Sequence, residues 1–217
     1  MSKYSFPASY PQDTPAPANL SIVIRDYWDG TQQRLGGANS NEAEPLCLEC
    51  DLLIAIDAPA QLLGLKNAPE IYLDPFGSPT RNLDGTAWQI RSAQEMSPSE
   101  FSIWSHEVAD LITRLVLEQG IVCIDLVDLA LILSQGTQPL RCLICDWPNP
   151  HRLPDALQGR TFKYALWGLF AASGQLDMAL FEKANALFDQ IGFPDGMYVG
   201  AARIQSVDVP RLMFIGV

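Results

Sequence analysis

Hydrophobic and polar positions between Ser97 and Gly136 organise the whole chain. Val108, Leu111, Ile112, Leu115 and Val116 recur at helical spacing. Ahead of them, Ser97 suits an N-cap, Pro98 the first helical position, and Glu100 can reach back to the cap's N–H as a capping box. Gly120 is a stop, so the pattern predicts a helix over 98–119, about 30 Å long at 1.5 Å per residue. A tight loop and a second helix ending near Gly136 should follow.

Shorter runs flank this rod. Leu20–Trp28 is β-branched and closed by the turn pair Asp29-Gly30, and Leu52–Ile56 is continuously apolar, as in a strand buried on both faces of a parallel sheet. Residues 64–96 hold many Pro, Gly, Asp and Asn with no sustained period, which predicts an irregular, exposed insertion. Beyond the second helix, Pro139–Trp147 reads as a strand, followed by a proline-broken loop. Phe162–Ser173 fits a strand and a helix equally. A helix carrying Leu176, Leu180, Ala184 and Leu187 or Phe188 on one face ends at Gly192. Met197–Gln205 and Arg211–Val217 are expected to pair as a hairpin through Val207–Pro210.

Composition narrows the class. With 217 residues, 48% of them hydrophobic, the chain can bury a sizeable core. A formal charge of −11 argues against nucleic acid and against an anionic membrane surface. The longest apolar run, Ile121–Leu133, is broken by Asp125 and Asp128 and is too short to span a bilayer. No signal-peptide core is expected near Lys3. Five cysteines, an odd number, suit reduced thiols in a cytoplasm. Residues 1–19, with four prolines, read as a flexible arm.

The segment Gly120–Gly136, GIVCIDLVDLALILSQG, resembles the loop and helix that follow the central helix in FtsZ, the bacterial tubulin homologue, where the motif is G-x-x-N-x-D-F-x-D-[VI]. Gly120, Asp125, Asp128 and Leu129 are in register; Leu126 replaces Phe and Cys123 replaces Asn. Ile22–Arg34 resembles the family's V-V-T-K-P-F-x-F-E-G-x-x-R segment, with Gly30 and Arg34 in register. Asp51–Leu62 resembles the strand D-x-L-I-V-I-P-N-D-x-L that comes next, Leu180-Phe181-Glu182 an L-F-E in a later helix, and Gly200 a glycine of the last strand pair.

This resemblance implies an α/β fold: a partial parallel sheet from a truncated N-terminal domain (20–96), the central helix (97–119), and a C-terminal sheet domain backed by helices (120–217). It makes Phe162–Ser173 a strand. The family's glycine-rich G-G-G-T-G-[ST]-G signature does not occur, so no cofactor, no GTP and no enzymatic activity of its own are expected. The function it implies is that of a cytoplasmic protein acting in cell division on a protein partner, FtsZ or another tubulin-like subunit; capping or modulating a filament is one form of it.

Two sets of residues carry candidate chemistry. Gly120, Cys123, Asp125 and Asp128 form the candidate interaction loop. The resemblance implies that its carboxylates project into a neighbour's nucleotide site, whereas local chemistry alone makes Asp125 an N-cap and Asp128 a partner of the helix dipole. Cys47, Cys50, Cys142 and Cys145 form two C-x-x-C pairs, and four thiolates would suit tetrahedral zinc. Against that, residues three apart in a strand point to opposite faces. A metal-binding or enzymatic protein using these pairs, or a scaffold in an unrelated assembly, remain the alternatives.

Overall fold

A computed structural model describes residues 20–36, 50–60, 68–83, 85–118, 120–135, 139–152, 154–155, 165–172, 174–188, 197–203 and 208–216. The arm expected at 1–19 lies outside them. The strands are β1 (Ser21–Asp26), β2 (Gln32–Gly36), β3 (Leu52–Ile56), β4 (Glu70–Asp74), β5 (Ala87–Ser92), β6 (Leu140–Asp146), β7 (Ala165–Ala171), β8 (Met197–Arg203) and β9 (Arg211–Gly216). The helices are α1 (Pro98–Leu117), α2 (Leu126–Gln135) and α3 (Met178–Phe188).

The strands form one mixed sheet in the order β2-β1-β3-β4-β5-β6-β9-β7-β8. From β1 through β6 the neighbours β1, β3, β4, β5 and β6 are parallel. In this way the parallel strands are hydrogen-bonded edge to edge with those that follow the long helix. β2 runs antiparallel on the outer edge of β1. β9 is antiparallel to both β6 and β7, and β8 is parallel to β7. The expected hairpin between the last two strands is therefore not formed: β7 lies between β8 and β9 and satisfies the inner edges of both.

The segment expected to be irregular holds β4 and β5. Their sequences alternate, Glu70-Ile71-Tyr72-Leu73-Asp74 and Trp88-Gln89-Ile90-Arg91, which is the period of two that a strand presents to two faces. The turn-forming residues of Pro75–Gly85 obscure that alternation, because they punctuate it on either side.

α1 begins as its sequence dictates. The Ser97 N–H donates to Glu100 Oε2 at 2.8 Å, and the Glu100 N–H donates to Ser97 Oγ at 3.4 Å. One face of the sheet meets this helix. Ile22, Ile54, Leu73 and Ile90 from the parallel strands, and Leu166, Phe170, Met213 and Ile215 from the later ones, share a core with Val108, Leu111, Ile112 and Leu115. α2 adds Leu129, Ile132 and Leu133 to the same core. Close approach requires small residues beneath: Gly168 and Gly200 face each other across β7 and β8, and a Cβ on Gly200 would lie 2.7 Å from Leu115 Cδ2 and 2.8 Å from Ile124 Cδ1. α3 covers the opposite face of the second half, with Phe181, Ala184 and Phe188 against Trp167, Leu212 and Phe214.

Candidate functional site

The loop between α1 and α2 is held from below. Ile124 is buried in the α1 core, while Cys123, Asp125, Val127 and Asp128 are exposed. Asp125 Oδ1 accepts from the Asp128 N–H at 2.8 Å, and Asp128 Oδ2 accepts from the Asp125 N–H at 3.3 Å. This reciprocal pair is a capping box closed by two aspartates, so both orient the start of α2. The exposed Cys123 thiol donates to the Gly120 carbonyl at 3.7 Å, across the turn. Val127 and Leu131, one helical turn apart, are 75% and 49% exposed. The exposed surface is thus an apolar ridge with two carboxylates at its start.

The cysteines do not converge. Cys47 lies outside the described residues. Cys50 precedes β3, and β3 stands three strand positions from β6, about 14 Å at the ordinary spacing between strands. Within β6, Cys142 is buried in the α1 core and Cys145 packs against the α3 side. Burial pushes the Cys142 thiol far above its ordinary range, and burial with the charge of Asp146 pushes Cys145 up to about 11. Cys50 is raised mainly by burial. No group of three or more His, Cys, Asp and Glu suited to a metal ion occurs among the described residues.

A second polar region, missed in the sequence, lies at the carboxyl ends of the parallel strands, where open α/β sheets bind their ligands. Asp26 ends β1, Asp57 follows β3 and Asp74 ends β4. Asp26 Oδ1 accepts from the Trp28 N–H at 2.7 Å, turning the chain directly into β2. Its Oδ2 lies 3.4 Å from His106 Nε2 of α1. Asp57 has a left-handed φ of 48°, and burial together with the charges of Asp74 and Asp26 raises its pKa. Arg81 reaches back across the sheet, its Nε 2.7 Å from Asp74 Oδ2 and its Nη2 2.8 Å from Oδ1. Gln89 Nε2 donates to the same carboxylate at 2.6 Å. The guanidinium of Arg81 stands 4.6 Å above the Tyr72 ring, and the Tyr72 hydroxyl donates to Glu70. A strand end of this kind gathers negative charge, where a phosphate would need backbone N–H groups at a helix N-terminus.

No family model matches the sequence, and no curated protein does. Solved structures do. The fold is similar to that of an FtsZ W319Y mutant from M. jannaschii, with TM-score 0.55 at 10% identity over 78% of this chain and 66% of that one. An empty FtsZ dimer from M. jannaschii gives TM-score 0.52 at 11% identity over 77% and 64%. CetZ1 from Haloferax volcanii, a GDP-bound monomer, gives 0.48 at 13% identity over 78% and 66%. The chain thus spans just under two thirds of the solved FtsZ chains it matches. Its fold is FtsZ/tubulin-like. Between the Asp51–Leu62 segment and α1, where an irregular insertion was expected, stand β4 and β5, so β5 is the strand that leads into the long helix.

Proposed function

We propose, from the FtsZ/tubulin-like fold, that this chain acts by protein–protein contact, binding the end of an FtsZ or tubulin-like filament and not turning over GTP itself. The asymmetry of its two ends carries the reading. At one end, Val127 and Leu131 form an exposed apolar ridge beside Asp125 and Asp128, on a loop braced by Ile124. At the other, Asp26, Asp57 and Asp74 gather at the carboxyl ends of the parallel strands, and β1 turns straight into the antiparallel β2. A subunit with one usable face of a heterologous contact adds to a filament end and blocks further growth there. Cell division is the process such a cap would serve, and the cytoplasm its place. Among the described residues no helix is long and apolar enough to cross a membrane.

Co-sedimentation with FtsZ filaments tests this. Protein well below equimolar should pellet with the filaments and shorten them. Val127→Asp, on the exposed ridge, should abolish both effects while leaving the urea midpoint unchanged. Filaments of unchanged length at equimolar protein, with nothing in the pellet, would remove the proposal. Fluorescent-nucleotide titration should give no micromolar GTP affinity; tight binding would contradict the non-GTPase part.

A further inference from the structure

Arg91 and Arg141 are register partners in the parallel pair β5–β6, so their side chains leave the same face of the sheet side by side. Like charges directly opposite in a sheet repel, and proteins ordinarily separate them or place a carboxylate between. Here neither arginine has an ion pair within 4.0 Å among the described residues, although the chain carries an excess of acidic groups. Asp74 influences Arg91 at longer range, but its oxygens are taken by Arg81 and Gln89. Arg91 is only 8% exposed; its Nη2 donates to Thr80 Oγ1 at 3.1 Å and approaches Gln89 Oε1 at 3.4 Å, and its buried Nε has no partner. Arg141 Nη1 donates to the carbonyls of Ser92 at 3.2 Å and Phe76 at 3.4 Å, with its guanidinium 4.6 Å above the Phe76 ring. The segment carrying Phe76 and Thr80 thereby closes one side of the pair. Burial and the neighbouring Arg141 charge both press Arg91 toward its neutral form, a cost that a bound anion would relieve.

We propose that Arg91 and Arg141 form a binding site for a phosphate dianion, free or as a monoester. Two guanidiniums offer paired N–H donors in the planar fork that phosphate oxygens accept, and their summed charge matches a dianion better than a single carboxylate. The exposed Phe76 ring at the rim would favour an ester with an aromatic group. The site is on the face turned away from α1 and does not involve the 120–128 loop, so it stands or falls separately from filament binding.

Calorimetric titration of the whole chain with inorganic phosphate and with phenyl phosphate tests it, using sodium chloride and sodium acetate at matched ionic strength as controls. Phosphate should bind at millimolar concentration or tighter, and acetate should not. Arg141→Gln, at the partly exposed member, should weaken phosphate by about tenfold or more, the loss expected for one charge-assisted contact. Phenyl phosphate binding more tightly than inorganic phosphate would assign the ring to Phe76; equal affinities would assign the site to the anion alone. Should Arg141→Gln fail to fold, Arg141→Lys keeps the charge and loses the fork, and should still weaken phosphate several-fold. No phosphate heat beyond the chloride control, or equal affinity in the folded variant, overturns the proposal.

Discussion

Across β6, β9 and β7, the sheet face turned away from α1 buries Leu143, Leu212, Phe214, Trp167 and Leu169 beneath α3. Across β4 and β5 the same face buries Glu70, Tyr72, Asp74, Gln89 and Arg91 instead, tied by Arg81 from the segment that follows β4. The first region is held by shape. Trp167 packs on Phe188 at 4.5 Å between ring centroids, and Phe188 meets Phe214 edge-on at 5.2 Å. The second is held by hydrogen bonds centred on the Asp74 carboxylate, whose removal strands Arg81 and Gln89. Both fill space behind one sheet, but they fail in different ways.

Those failures can be separated by substitution. Phe188→Ala should cost about 3–5 kcal/mol, through lost burial plus the cavity it leaves. Asp74→Ala should cost a similar amount, about 3–5 kcal/mol, because Arg81 and Gln89 lose a buried carboxylate. The difference lies in rescue. Replacing both charges together, Asp74→Leu with Arg81→Met, should restore much of the loss, since a buried pair exchanged for apolar groups is often near neutral. Urea midpoints would read all three, and a double variant no better than Asp74→Ala would show that shape, not charge, holds this region too.

A smaller effect probes how tightly α1 is seated on the second half. Gly200→Ala places a methyl against Leu115 and Ile124, both buried, and should cost about 1–3 kcal/mol as overpacking. An unchanged midpoint would mean that the two side chains have room to withdraw.

The smallest effect concerns pH and the polar end. Asp57 has its pKa raised by burial and by the charges of Asp74 and Asp26, so the folded chain holds that proton to higher pH than the unfolded one. Its contribution therefore falls as pH rises from the ordinary carboxyl value through the raised one, and is unfavourable at neutrality. Asp57→Asn, which also tolerates the left-handed backbone, should gain less than about 1 kcal/mol at pH 7 after solvent screening. The gain should vanish in acid. A gain that persists there would assign the effect to the backbone and not to charge.

The two regions also differ in how far they could be read from the chain. α1 was legible because capping chemistry and helical period agree from Ser97 to Val116; in the apolar region β6 read as a strand, whereas the run of β7 fits strand and helix equally and only the family resemblance made it a strand. β4 and β5 were not legible. Their positions on the face turned away from α1 are polar, so the alternation Glu70-Tyr72-Asp74 looked like surface, and only the partner Arg81, on the turn-rich segment between β4 and β5, makes it core. The order of the last strands was hidden for another reason: a short connection suggests a hairpin, while β7 is better matched to both neighbours. At the 120–128 loop the capping role of Asp125 was readable from spacing, and the exposure of Val127 and Leu131 followed only from which face of α2 meets α1.

The most direct test of end-binding counts bound copies against filament ends. FtsZ filaments of graded length, sheared at constant total protein, would be saturated with the chain and the bound ratio measured after sedimentation. An end-binding subunit predicts a bound ratio that rises in proportion to the number of ends, far below one per subunit in long filaments, and that is lost in Val127→Asp. A ratio near one per subunit regardless of length would place the contact along the filament side and contradict the account.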